Sequence, residues 1–301
     1  MDNYLSALIY IVIGVGAGVM SAVFGVGGGA LSTPSIRVMG VSAIYAIGTT
    51  LPSVLPGVIT GMYGYRGRKL VRYDIVAIVA PTGIIAAVLG SVYSHKIPGN
   101  GHILMIVTAA ILLTNAARLA LPKNKRHIDV HQDDIATYKS HTADPPSPGI
   151  EGDSLVAASS SISSSSTSTA IRARMSLRSI LVLSSTGVLA GLISGMLGLG
   201  GGVVLVPLFA NRLRLPLLQA TATSLVCIGV LAIPSIVTHS FIGDINWSVA
   251  VLLTIGTIPG ARLGAHLALR LRENWLRLVA ALVLSVIALV YGISETIALF
   301  G

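Results

Sequence analysis

Residues 24–34 read "FGVGGGALSTP", and residues 197–207 read "LGLGGGVVLVP". In each stretch three consecutive glycines precede a short apolar run that carries a proline. A glycine costs about 1 kcal/mol against alanine inside a helix, so the cluster ends one. The run that follows can restart a short helix, whose first amides have no partner within it. How these two breaks are placed decides how the rest of the chain is read.

The chain around them is apolar. Of 301 residues, 53% are hydrophobic and 10% charged, with a mean hydropathy of +0.83, whereas soluble domains carry about 25% charged residues. Stretches 41–65, 73–93, 103–121, 180–197, 216–242, 247–269 and 276–300 meet the need for about 20 apolar residues to cross a bilayer. The composition therefore predicts an all-α polytopic membrane protein, multi-pass in the cell (plasma or inner) membrane, with the lipid bilayer as its first partner. The first basic residue is Arg37, so the N-terminus does not read as a cleaved signal peptide. The single cysteine, Cys227, lies in an apolar stretch and excludes a disulfide framework. The net charge of +9 comes from residues in short loops. Membrane orientation accounts for them, and no nucleic acid partner is expected.

Residues 122–178 interrupt the pattern with "DPPSPG" at 144–149, "SSSISSSSTST" at 159–169 and six of the eleven acidic residues. Such a segment buries too little apolar area to offset its ordering entropy, and it reads as a disordered Ser/Pro-rich linker. His127 and His131 stand four apart beside Asp133 and Asp134, but in a polar loop that spacing does not make a dedicated metal site. The chain divides into a first transmembrane repeat (1–121), the linker (122–178) and a second transmembrane repeat (179–301).

The halves match. Gly18, Gly25, Gly27, Gly28, Gly29 and Pro34 correspond to Gly191, Gly198, Gly200, Gly201, Gly202 and Pro207, each at an offset of 173. After one inserted residue the offset is 174: "AIGTTL" at 46–51 lies over "ATATSL" at 220–225, and Gly90 over Gly264. The expected unit is a Gly-broken helix or re-entrant half-helix plus three spanning helices, about eight transmembrane helices in total.

If each broken segment enters and leaves on one face, the loops at 66–72, 118–178, 212–214 and 270–277 share a side. They hold 17 of the 20 Lys and Arg residues. The positive-inside rule then favours inverted repeats, with both termini outside and the linker in the cytoplasm. The first arm of the break (5–24) would be about 30 Å long and the second (30–38) about 14 Å, which suits a span followed by a half-helix.

A helix that starts near mid-membrane offers free N–H groups and a partial positive charge to an anion. Inverted repeats with broken helices are the pattern of secondary transporters. "GVGGGA" also satisfies a loose dinucleotide fingerprint, but it lacks the preceding strand and the ribose-binding acid. No Walker lysine follows either cluster, and no cofactor is expected. Gly14 and Gly18 read as helix-packing glycines.

The twin elements running from Gly18 to Pro34 and from Gly191 to Pro207 resemble the sulfite exporter TauE/SafE family, also called the toluene-sulfonate uptake permease family. The resemblance covers both apolar halves and not the linker. It implies a membrane carrier of sulfur-containing anions such as sulfite, organosulfonates or related organic anions.

The candidate substrate-binding residues are Gly25, Gly27, Gly28, Gly29, Gly198, Gly200, Gly201 and Gly202. The hydroxyl pair Thr49 and Thr50 joins them, with its counterpart Thr223 and Ser224. Ser32 and Thr33 have no hydroxyl counterparts, and Arg262 is the one basic residue well inside an apolar span. His239 and His266, near span ends, read as satisfied or interfacial histidines. Asp74 and Asp244 sit at loop edges, so no carboxylate proton relay is visible. No nucleophile with a base stands near mid-membrane, which argues against an enzyme. The expected activity is secondary transport of a small anion by alternating access at a midplane site, with a proton or sodium as a possible coupling ion. The alternative is a passive anion channel through the same site.

Overall fold

A computed structural model describes residues 2–65, 70–97, 101–120, 177–213, 215–270 and 273–300. The expected linker lies outside these residues, apart from its last two positions. The first half forms α1 (Asp2–Phe24), α2 (Gly29–Val38), α3 (Ala43–Gly64), α4 (Tyr73–Ser94) and α5 (His102–Ala120). The second forms α6 (Leu177–Leu197), α7 (Gly202–Arg212), α8 (Leu217–Ile242), α9 (Trp247–Arg270) and α10 (Glu273–Phe300).

Among the described residues, six helices are long and apolar enough to cross a membrane: α1, α3, α4, α6, α8 and α9. Shorter apolar stretches in α5 and α10 complete a helical, multi-pass membrane protein. Pro52 and Pro56 in α3, Pro81 in α4, Pro234 in α8 and Pro259 in α9 lie inside their helices, as neighbouring membrane helices allow. Leu8, Val12, Ile85, Leu89, Val251 and Leu282 are exposed, which is the expected state of an outer face whose solvent is lipid.

The glycine clusters end α1 and α6 through backbone conformation. Gly25 and Gly27 have φ of 62° and 88°, and Gly198, Gly200 and Gly201 have 67°, 76° and 74°. An L side chain resists this left-handed region. The segment after each break restarts a helix of 10 or 11 residues, against 23 and 21 before it. Each break therefore joins a full-length helix to one of about 15 Å rather than forming an even hairpin.

The halves are interleaved in one compact unit. α1 packs most extensively on α9, and α4 on α6, so the first helix of each repeat lies against the fourth helix of the other. Small residues allow this closeness. A Cβ on Gly18 would strike the Thr257 carbonyl oxygen, and one on Gly191 would strike that of Gly83, the position matching Thr257. A Cβ on Gly90 would lie 2.6 Å from the Leu192 oxygen, and one on Gly264 would lie 2.6 Å from the Val19 oxygen, again a matched pair.

The contacts also fix helix direction. Gly57 meets Thr257 and Gly64 meets Ala265, so α3 and α9 run the same way. Gly61 meets Leu225 and Gly229 meets Val58, so the equivalent helices α3 and α8 run in opposite directions.

Gly18→Ala and Gly191→Ala should each lower stability by about 1–3 kcal/mol through overpacking. Gly16, whose Cβ would sit 3.6 Å from a Leu31 methyl, should accept alanine with little change. Thermal unfolding in detergent checks both; an equal loss at Gly16 would remove backbone approach as the reason for the glycines.

Candidate functional site

The two breaks meet. A Cβ on Gly29 would strike the carbonyl oxygen of Gly198, and one on Gly202 would strike that of Gly25. Gly27 would come to 2.7 Å from the Leu199 oxygen. The outer flanks match as well: Gly25 lies against Thr221, and Gly198 against Ile47, its counterpart. Gly25, Gly27, Gly28, Gly29, Gly198, Gly200, Gly201 and Gly202 are all buried. They form one continuous patch of backbone drawn from both halves.

That backbone is rich in unspent donors. The Gly25 amide bonds to the Ser21 carbonyl at 2.8 Å, and the Gly198 amide to the Ser194 carbonyl at 3.1 Å. The first amides of α2 and α7 that bond backward belong to Ala30 and Val204. Among the described residues, the amides of Gly27, Gly28 and Gly29, and of Gly200, Gly201 and Gly202, donate to no backbone carbonyl. Buried N–H groups without acceptors are costly, and they suit a ligand that brings negative oxygen.

Three hydroxyls next to this patch are also buried without a hydrogen-bond partner: Ser21, Ser194 and Thr221. Ser21 and Ser194 occupy matching positions, each one turn before its break. Sequence reasoning passed over them, because a serine inside a membrane helix ordinarily bonds to the carbonyl four residues back. Their duplication within the repeated element was the available signal.

The predicted hydroxyls divide in role. Thr49 accepts the amide of Asn246 at 2.9 Å, and Thr223 accepts that of Arg72 at 3.1 Å. These are matched contacts in which each repeat holds the start of a helix in the other. Thr50 is 2.9 Å from Thr33 and donates to the Ile47 carbonyl at 3.0 Å. Its counterpart Ser224 instead donates to the carbonyl of Gly25, in the first break. Val206 replaces Thr33 in the second half, which leaves the Thr33–Thr50 bond without an equivalent. Ser32 bonds back to the Gly28 carbonyl at 3.0 Å.

Arg262 does not join this set. It is exposed on α9 and lines an outward groove with Ile59, Thr60, Tyr63, Gly64 and His266. Asp244 does lie in a loop, as its position predicted, yet it is 5% exposed. It contacts both His95 and His239 at 2.9 Å. Among the described residues, no cluster of three His, Cys, Asp or Glu side chains could hold a metal ion.

If the Thr33–Thr50 contact stabilises the first break, a Thr33→Val, Thr50→Val double-mutant cycle should give a coupling of about 0.5–1.5 kcal/mol. The matching cycle at Val206 and Ser224, with Val206→Thr as one member, should start from no coupling. Chemical denaturation in detergent reads both.

Comparison with known proteins agrees with this architecture. The family described as Sulfite exporter TauE/SafE matches residues 10–291. A "Probable membrane transporter protein" of Xylella fastidiosa is 25% identical over 255 residues, covering 83% of this chain and 80% of its own. The "Probable membrane transporter protein YunE" of Bacillus subtilis is 23% identical over 297 residues, 94% of this chain and 96% of its own. The "Probable membrane transporter protein MamO" of Magnetospirillum gryphiswaldense is 28% identical over 262 residues, 85% of this chain but 39% of that longer protein. No solved structure matches significantly.

Proposed function

Because the chain belongs to the TauE/SafE sulfite exporter family, whose relatives above are named as probable membrane transporters, we propose that it is a secondary carrier of a small sulfur-containing oxyanion or organosulfonate and not an enzyme. The observation that carries this reading is the joined pair of glycine breaks, whose unspent amides are accompanied by the unpartnered hydroxyls of Ser21, Ser194 and Thr221. Every one of these groups is a donor. A sulfonate or sulfite group presents several acceptor oxygens, so its needs complement what the patch leaves unmet. The aligned starts of α2 and α7 add partial positive charge where the anion would rest.

Alternating access suits the architecture. The opposite courses of α3 and α8 support an inverted pair of repeats, in which one break is the image of the other across the bilayer. On this reading the basic loops face the cytoplasm, with both termini outside and the linker inside, as the positive-inside rule favours. Burial of the whole patch is the property of an occluded state and favours a carrier over an open anion channel. Thr49 and Thr223, which tie each repeat to the other, lie where a change in one break would be felt across the interface.

Flux in proteoliposomes tests the reading, with sulfite, thiosulfate, sulfoacetate and taurine against a carboxylate control. Saturable movement of one sulfur anion is the expected result, while single-channel currents would support the channel instead. Ser21→Ala with Ser194→Ala should raise KM about tenfold, equivalent to about 1.4 kcal/mol of binding, without lowering stability, because removing an unpartnered buried hydroxyl relieves a cost. Gly29→Ala and Gly202→Ala should abolish flux, since each Cβ would force the breaks apart. Arg262→Gln should leave KM unchanged. Unaltered KM in the double serine variant, in correctly inserted protein, would overturn the assignment of these hydroxyls.

A further inference from the structure

The two repeats clamp the same carbonyl with different chemistry. In the first half Tyr65 donates its hydroxyl to the Ala22 carbonyl at 2.6 Å. At the matching position in the second half stands His239, whose Nε2 is 3.1 Å from the Gly195 carbonyl. Tyr65 and His239 are related by the offset of 174, and Ala22 and Gly195 by the offset of 173. A carbonyl only accepts, so Nε2 of His239 carries a hydrogen.

The other ring nitrogen faces a second acceptor. His239 Nδ1 lies 2.9 Å from Asp244 Oδ2, and His95 Nε2 reaches the same oxygen at 2.9 Å. His239 is fully buried. A neutral imidazole with its hydrogen on Nε2 would turn an Nδ1 lone pair toward a carboxylate oxygen. The 2.9 Å bond therefore needs one further proton, shared between His239 and Asp244. Among the described residues nothing comparable surrounds the Tyr65 clamp, where Leu70 of the first half and Leu269 of the second occupy the positions matching Asp244 and His95. A phenol ionises far above the range in which histidine titrates, so that side of the fold has the clamp without a group that titrates near neutrality. The clamp is duplicated and the protonation chemistry is not.

We propose that His95, Asp244 and His239 form the binding site of the coupling proton, and that the proton favours the anion through the second break. The inference rests on the carrier reading above. The route is short: the clamped carbonyl belongs to Gly195, adjacent to the unpartnered Ser194 and three residues before Gly198. A Cβ on Gly48 would lie 2.8 Å from the backbone carbonyl oxygen of Asp244, and the nearby Asn246 amide is held by Thr49, so the turn bearing Asp244 also braces the start of α3. One proton enters from water, resides between Nδ1 and Oδ2, and leaves to water on the opposite side. Its charge lowers the cost of an anion at the adjacent break, and by linkage the anion strengthens proton binding to the same degree. Loss of the proton sets the lone pair against the carboxylate and opens the bridge.

The other titratable and charged groups at this end, among the described residues, begin with Lys96, just past α4, which rests over the Tyr93 ring at 5.5 Å. Arg37, at the end of α2, donates to the Val41 carbonyl at 3.2 Å. Tyr45 stands near the start of α3 and His102 opens α5. The segment of α6 that packs here, 191–197, has no titratable side chain.

Thiosulfate binding to the purified full-length protein tests the proposal, because this probe remains ionised throughout the range in which histidine titrates. Wild type should bind about tenfold more tightly at the acidic than at the alkaline end of that range. His239→Tyr, which installs the first half's clamp, should bind at both with less than about a twofold difference. In proteoliposomes the same variant should retain thiosulfate counterflow while losing acceleration by an imposed proton gradient. A pH-independent affinity in wild type, or a gradient response that survives in His239→Tyr and in Asp244→Asn, would overturn the proposal.

Nitrogen NMR of the histidine rings in the full chain separates this from failure of the carrier reading. A protonated or proton-sharing His239 Nδ1 that reverts to a bare nitrogen in Asp244→Asn supports the site even if no panel anion moves. A bare Nδ1 in wild type throughout the titration range overturns it whatever the flux.

Discussion

The structure depends on the contact of two stretches of bare backbone. Gly29 lies on the carbonyl of Gly198, and Gly202 on that of Gly25, with no space for a side chain on either. Membrane helices cannot rely on water to drive them together, and their association depends on close packing and on satisfying polar groups. Here both depend on glycine. Left-handed φ angles turn the chain from a full helix into a half-helix, and the missing Cβ lets the two turns touch. The same substitution of hydrogen for side chain leaves amides in the patch without backbone acceptors, and on these the proposed anion site rests. Fold and site therefore share one set of residues, which is why the clusters recur as whole units with their prolines.

Around that contact the helices are exchanged between halves. α1 is held by α9 and α6 by α4, along faces built from Gly14, Gly18, Gly256, Gly260 and Gly264 in one pair and Gly83, Gly90, Gly187, Gly191 and Gly195 in the other. Threonine bonds from Thr49 and Thr223 repeat the exchange at the loops. In a transporter assembled in this way each break is flanked by helices of both halves.

Much of this was legible in the sequence. The offsets of 173 and 174 revealed the repeat, the apolar windows located the long helices to within a few residues, and the unequal arms of the first break favoured a span joined to a half-helix without deciding against a re-entrant hairpin. The exchange of partners was not legible, because an internal repeat relates equivalent positions and says nothing about which positions touch. Arg262 misled for a similar reason. Its span is apolar throughout, but Gly260 and Gly264 mark the packed face, and Arg262 is two residues from either, about 200° around the helix. Asp244 read as a loop residue and is one; its burial arises from the end of α8 just before it together with two segments distant in sequence, α3 and the end of α4. Ser21 and Ser194 stood in the repeated element from the start, but their lack of partners is a property of packing alone.

The exchange of helices also sets a timetable for assembly. α1 ends at residue 24, while its partner α9 begins at residue 247. At translation rates of about 5–20 residues per second, roughly ten to forty-five seconds separate their synthesis. Throughout that interval the glycine face of α1 has only lipid or the insertion machinery against it. The break that follows carries amides that hydrocarbon cannot satisfy. The first repeat must therefore wait in the membrane, incomplete, until the second arrives to close it, and a chain truncated between the halves would be left with that face uncovered.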